Sequence, residues 1–309
     1  MKYPISREFI PLRRISLPIR NARIAGSLGA MLRAPRSLFR DKELRVSEHR
    51  ISGYLGGEIE LIFIEPADIP SPKRTLVYYH GGGFLFGAAG HHYKMAKLYA
   101  IGARCRVVMV QYRLAPRYPF PYAPEDCYAA LRYVYDNADE LGICRSLIAV
   151  GGDSAGGALA AAVVQMARDR GESVPLFQLL IYPVTDRRMQ TVSMRDFLDT
   201  PMWNARLSRM MWQSYAPSPS DSELPYASPA EARDFSHLSP AYVETAEFDC
   251  LRDEGIAYAR SLDSAGVTVT LYETVGTMHA FDVISNAPTS RAAIASRIEY
   301  MKKGFEKIK

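Results

Sequence analysis

Ser146-Leu147-Ile148-Ala149-Val150-Gly151-Gly152-Asp153-Ser154-Ala155-Gly156-Gly157 is the stretch that decides the reading of this chain. An apolar, strand-like run (146–150) feeds a Gly-x-Ser-x-Gly turn, and a small-residue run (158–166, ALAAAVVQM) with the spacing of a tightly packed helix follows. Strand, sharp turn and helix in that order make a nucleophile elbow: the serine sits on a strained turn, and small flanking residues let the backbone fold that tightly. The free N–H groups of the helix N-terminus then point at whatever Ser154 attacks.

Upstream, His80-Gly81-Gly82-Gly83 follows a second strand-like run, Thr75-Leu76-Val77-Tyr78-Tyr79. Attack on a carbonyl creates an oxyanion, and backbone N–H groups on a glycine-rich turn approach it without side-chain obstruction. The N–H groups of Gly82, Gly83 and Ala155 are the expected donors.

These two motifs, with Tyr112-Arg113-Leu114-Ala115-Pro116, Pro119-Phe120-Pro121 and Glu247-Phe248-Asp249-Cys250-Leu251-Arg252-Asp253-Glu254-Gly255, stand in an order that resembles the hormone-sensitive-lipase-like branch of the α/β-hydrolases, which includes bacterial family IV. The resemblance covers roughly residues 60–300. Arg117 stands where that family usually has an acidic residue, and Cys250 where it has proline, which leaves the turn aiming the acid free to loosen. The resemblance implies an α/β-hydrolase fold with a helical cap and a serine carboxylesterase acting on short-to-medium acyl esters.

Six histidines compete to serve Ser154: His49, His80, His91, His92, His237 and His279. Histidine suits proton shuttling near neutrality, and in this architecture the base follows the acid in the chain. His279 lies in Gly276-Thr277-Met278-His279-Ala280-Phe281, a loop after a strand candidate, and resembles the family's histidine-aromatic signature with Ala280 in place of glycine. His80 is expected to hold the oxyanion loop, His91 and His92 to begin a helix, and His237 to sit at the surface or in the cap. Asp249 closes the strand candidate before His279 and is the expected acid, fixing the imidazole tautomer. Glu247, Asp253 and Glu254 compete, the last two reading better as first-turn helix residues beside a favourable dipole. Asp153 is expected to tie the elbow to its neighbours.

Strand candidates at 58–65, 74–79, 106–112, 146–150, 176–182, 241–246 and 267–273 alternate with helix candidates near 91–103, 121–138, 156–170, 252–265 and 288–307. Such alternation means an α/β fold, a mostly parallel sheet covered on both faces. Two stretches depart from it: residues 1–50, and an insertion at about 186–236 that holds both tryptophans. Both are expected to cap the strand ends, leaving 51–309 as the catalytic domain.

At 309 residues with 48% hydrophobic and 23% charged content, the chain has ordinary globular composition. Its four cysteines show no metal-ligand spacing and suit a reducing compartment with no required disulfide; the serine chemistry calls for no cofactor, and with Pro4, Pro11, Arg13 and Arg14 interrupting any apolar leader a cytoplasmic location is expected. No run approaches a membrane span. Residues 1–50 carry 12 Lys/Arg against 4 Asp/Glu, a surplus of 8 in a net charge of +5. That surplus reads as a solvated face, with contact to an anionic membrane or acidic partner as the alternative; nothing in it suggests nucleic acid. The expected partner is a small-molecule ester, and self-association through a sheet edge stays open. An amidase, peptidase or natural-product deacetylase would use the same side chains, and a non-catalytic receptor would share the fold.

Overall fold

A computed structural model of the chain describes residues 2–15, 42–71 and 73–306. Among these residues, eight strands form one sheet in the order β1-β2-β4-β3-β5-β6-β7-β8. They are β1 (Leu44–Ser52), β2 (Glu58–Pro66), β3 (Lys73–Tyr79), β4 (Arg106–Gln111), β5 (Ile143–Asp153), β6 (Gln178–Ile181), β7 (Ala241–Ala246) and β8 (Val269–Thr274). β2 pairs antiparallel with both β1 and β4, and every other pairing is parallel.

The middles of the central strands are apolar at successive positions because both faces are covered. On β3, Val77 and Tyr79 enter one core cluster while Leu76 and Tyr78 enter the other; on β4, Val108 and Val110 oppose Val107 and Met109 in the same way. Period-2 alternation thus feeds two cores, one on each side of the sheet. The flanking helices are α1 (Gly90–Ala103), α2 (Tyr122–Asp136), α3 (Ala155–Asp169), α7 (Arg252–Ser264) and α8 (Pro288–Glu306), with the short α4 (Val192–Asp196), α5 (Ala205–Tyr215) and α6 (Leu224–Ala227) in the insertion between β6 and β7.

One expectation needs correction. β1 has no counterpart among the strand candidates, and the expected boundary at residue 50 falls inside it. Residues 44–50 belong to the sheet edge, paired with β2. Half of the basic surplus in residues 1–50 lies at 16–41, outside the described residues.

Residues 2–15 make contacts with three separate parts of the fold. Lys2 and the Tyr3 hydroxyl meet Asp199 of the insertion. The Ser6 N–H donates to Gly276 O at 2.8 Å, and Phe9 packs edge-on against Phe281. Glu8 accepts from the Thr289 N–H at 3.2 Å and from its hydroxyl.

The parallel neighbours β3 and β5 mark where strand order reverses: the chain moves from β3 outward to β4, then from β5 outward the other way. A crevice opens at such a point beyond the strands' C-terminal ends. Tyr79 pairs with Gly152 in this register, so the glycine loop leaving β3 and the serine turn leaving β5 emerge side by side.

Candidate active site

The turn after β5 is as tight as its sequence requires. Ser154 has φ 56° and ψ −119°, the strained left-handed side of the map. It is held there by its N–H donating to Ile181 O at 2.8 Å, and by its carbonyl accepting from the Val184 and Ala158 N–H groups at 3.1 Å each. Gly156 explains the second glycine of the motif: a Cβ there would collide with the Tyr79 carbonyl. Only a bare backbone lets α3 start this close to β3.

Three sequence-expected side chains converge. The Ser154 hydroxyl lies 2.9 Å from His279 Nε2, and His279 Nδ1 lies 2.6 Å from Asp249 Oδ2. Because an ionised carboxylate only accepts, Nδ1 carries the proton and Nε2 is left to accept from the serine. Asp249 is wholly buried, and its other oxygen accepts the Leu251 N–H at 3.0 Å. Tyr182 packs edge-on against the imidazole at 4.7 Å between centroids.

The loop His80–Gly83 lies beside the serine turn. Gly82 has φ +120°, and a Cβ on it would meet the Phe86 carbonyl at 2.6 Å. Among the described residues, no hydrogen bond engages the N–H of Gly82 or Gly83, and Ala155 occupies the first turn of α3, where N–H groups lack helical partners.

His80 buttresses this loop, as its sequence position suggests. Its ring stacks on Tyr112 at 4.4 Å, its Nδ1 meets Gly81 O at 2.7 Å, and the Tyr112 hydroxyl donates to its carbonyl. The Tyr-Arg-Leu-Ala-Pro block therefore acts partly through Tyr112, and partly through Arg113, whose guanidinium grips Asp126 and the Tyr54 carbonyl. Burial, reinforced by His92, drops the His80 pKa to about 3, so the ring is neutral.

Asp153 ties the elbow to the loop: Tyr78 donates to its Oδ1 at 2.6 Å, as does the Gly81 N–H at 3.1 Å. Burial alone would raise this carboxyl, but His92 and the Tyr78 hydroxyl reverse the effect and hold it well below the usual range. His91, His92 and Asp153 bring their ligand atoms within 4.8 Å of one another. The Ala89 N–H, however, donates to His92 Nδ1 at 2.9 Å, so Nε2 carries a proton toward Asp153 at 3.3 Å rather than a lone pair toward a cation.

The competing carboxylates find other work. Asp253 and Glu254 open α7, as expected; Glu254 also accepts the Thr185 N–H at 2.7 Å, and Asp253 that of Ser193. His91 and His92 fall in the first turn of α1, His49 lies in β1, and His237 is exposed. The sequence reading missed Glu247 and Thr277, which brace the turn carrying Asp249 against the loop carrying His279. Glu247 was visible only as a rival acid. Trp203, one of the two tryptophans expected in the cap, brings its ring within 6.2 Å, centroid to centroid, of His279.

Residues 76–283 match the model of an α/β-hydrolase fold family. The carboxylesterase NlhH of Mycobacterium tuberculosis is 40% identical over 243 residues, covering 77% of this chain and 76% of that protein. An ethyl acetate hydrolase of Pseudomonas putida is 37% identical over 222 residues, covering 71% and 70%. Among solved structures, a bacterial heroin esterase superposes with a TM-score of 0.89 at 33% identity, over 99% of this chain and 100% of that one. Among the described residues, no helix is long and apolar enough to cross a membrane.

Proposed function

The chain belongs to the α/β-hydrolase fold family, in its hormone-sensitive-lipase-like esterase branch, and from that premise we propose that Ser154, His279 and Asp249 are its catalytic residues. The protein is a carboxylic-ester hydrolase. The observation that carries the residue assignment is the unbroken hydrogen-bonded chain from the Ser154 hydroxyl through His279 to buried Asp249.

Ser154 Oγ attacks the ester carbonyl while its proton passes to His279 Nε2. Asp249 keeps Nδ1 protonated and stabilises the imidazolium. The negative oxygen of the tetrahedral intermediate accepts from the N–H groups of Gly82, Gly83 and Ala155, donors that typically contribute on the order of 10²–10³ each in rate. Collapse expels the alcohol, which takes the proton from His279, and leaves an acyl group on Ser154. Water then repeats the sequence and releases the acid.

The insertion at 186–236 and the N-terminal residues serve as the cap. The Asp199 contacts of Lys2 and Tyr3 and the bond from Met202 N to Ile15 O support this role. Substrates are esters with short-to-medium acyl chains, a reading supported by the aromatic rings of Tyr182 and Trp203 that neighbour His279.

The test is hydrolysis of p-nitrophenyl esters from acetyl to palmitoyl, run with Ser154→Ala and with matched anilides. Turnover of esters that disappears in the variant, with fluorophosphonate labelling of the wild type at Ser154, is the expected result. Faster anilide turnover would move the activity to amides, and a folded, unlabelled wild type would remove Ser154 from the chemistry.

A further inference from the structure

Trp203 belongs to none of the motifs, yet its indole lies against both groups that flank the nucleophile. A Cβ built on Gly83 would come within 2.5 Å of the ring, and the His279 ring is its neighbour on the other side. The side chain is only 5% exposed. His279 is hydrogen-bonded to the Ser154 hydroxyl, and Gly83 belongs to the loop that leaves β3 beside the serine turn. A flat ring packed on Gly83 and neighbouring His279 therefore borders the nucleophile's surroundings on that side.

The ring is also held in place. Its Nε1–H donates to Ser208 Oγ at 2.9 Å, and the Thr200 hydroxyl donates to its carbonyl at 2.7 Å. Ser208, on α5, lies with its hydroxyl 3.6 Å from Cys250 Sγ, one residue after Asp249. All three groups are buried, so swinging the indole aside would strand an N–H and a hydroxyl without water to replace the lost bond. Burial and the adjacent Asp249 charge push the Cys250 thiol well above its ordinary value, which keeps it uncharged beside Ser208. The cysteine that replaces the family's proline thus meets the insertion rather than loosening the turn.

We propose that Trp203 is a specificity-determining residue that limits the acyl group to a few carbons, latched in position by Ser208 and Cys250. The assignment rests on Ser154 being the nucleophile. The acyl group is the part of the ester that stays on Ser154 through both halves of the reaction, with its carbonyl oxygen at the Gly83 N–H. A ring covering Gly83 therefore bears on that group throughout.

The experiment compares kcat/KM for p-nitrophenyl acetate and octanoate, and for a series of acetate esters of lengthening alcohols, in wild type and in Trp203→Ala, Trp203→Phe and Ser208→Ala. A small fluorophosphonate reports Ser154 reactivity independently of chain length. Removing the wall raises the octanoate-to-acetate ratio by about tenfold or more, since each excluded methylene is typically worth about that much. Phenylalanine gives a smaller rise because it fills part of the space, and Ser208→Ala gives an intermediate one by freeing the ring. Should Trp203→Ala fail to fold, the other two carry the comparison. An unchanged ratio in a labelled variant overturns the proposal alone, as does a shift confined to the alcohol series. A wild type that neither turns over esters nor takes the label overturns the serine assignment and this proposal with it.

Discussion

Glu247 accepts the backbone N–H of Gly276 at 2.6 Å, and this one bond fastens the turn that carries Asp249 to the loop that carries His279. Two further bonds run alongside it, from the Glu247 N–H to Thr277 Oγ1 at 3.2 Å and from the Phe248 N–H to Thr277 O at 2.9 Å. The short contact between His279 and Asp249 is thus held by a small backbone splint. Glu247→Ala lowers kcat by about tenfold or more, because misplacement by a fraction of an ångström already weakens proton transfer. KM moves less, and Glu247→Gln restores most of the rate since its amide oxygen still accepts. Steady-state kinetics of the two variants on one ester check this; equal losses in both would make the charge, not the bond, decisive.

Asp249→Asn keeps the fold and loses about 10⁴ in kcat, the scale seen when a triad acid becomes an amide and the histidine adopts the wrong tautomer. Active-site titration alongside the rate measurement separates a slow enzyme from a small active fraction.

Gly156→Ala destabilises the protein by at least about 3 kcal/mol, because the added methyl meets backbone rather than a yielding side chain. Urea unfolding followed by circular dichroism measures the loss. A variant near wild-type stability would mean that α3 can slide away from β3.

The histidines behind the oxyanion loop make stability fall in acid. Burial and His92 lower His80 from its ordinary 6.5 to about 3 and His91 to about 4, with Asp153 opposing both shifts and Asp282 opposing that of His91. Between those values and 6.5 the unfolded chain binds more protons than the folded one, so stability rises with pH through that window and gains nothing further above it. The difference between wild type and His91→Gln isolates one contribution: the gap in unfolding free energy widens from pH 4 to pH 6.5 and is then constant. A gap that does not vary with pH would mean that His91 is solvated enough to titrate normally.

Arg297 is buried between Glu244 and Asp282, and Tyr182, which packs on His279, donates to that same Asp282 at 2.7 Å. Arg297→Met leaves two buried carboxylates without a cation and costs about 3–5 kcal/mol. Adding Glu244→Gln recovers part of that loss, which a double-mutant cycle measures.

The sequence made visible those elements whose signal is local. β3, β4 and β5 each hold an uninterrupted apolar run (76–79, 107–110 and 147–150) because both faces are buried there, and the serine turn announces itself through glycines that nothing larger can replace. β1 stayed hidden because Leu44–Ser52 is an edge strand with most positions at least partly exposed; its alternation of arginine, glutamate and histidine reads as a solvated surface. The splint stayed hidden for another reason: Glu247 is defined by a glycine N–H 29 residues away, and no pattern along the chain encodes that meeting. Trp203 looked like one more apolar cap residue, since its neighbours Gly83 and His279 come from opposite ends of the sequence.

The bond between Glu8 and Thr289 joins residues 281 positions apart. At synthesis rates of about 5–20 residues per second, Glu8 waits roughly 14–56 s after leaving the ribosome's catalytic centre before its partner exists. Ser6, waiting for Gly276, is delayed almost as long. Until then the segment has only its contacts with the insertion, through Asp199 and Met202, and before residue 279 is made the nascent chain carries its nucleophile turn without its base. Such a protein becomes an enzyme only once the residues around position 279 have been made, which leaves the early segment open to chaperones and proteases in the interval.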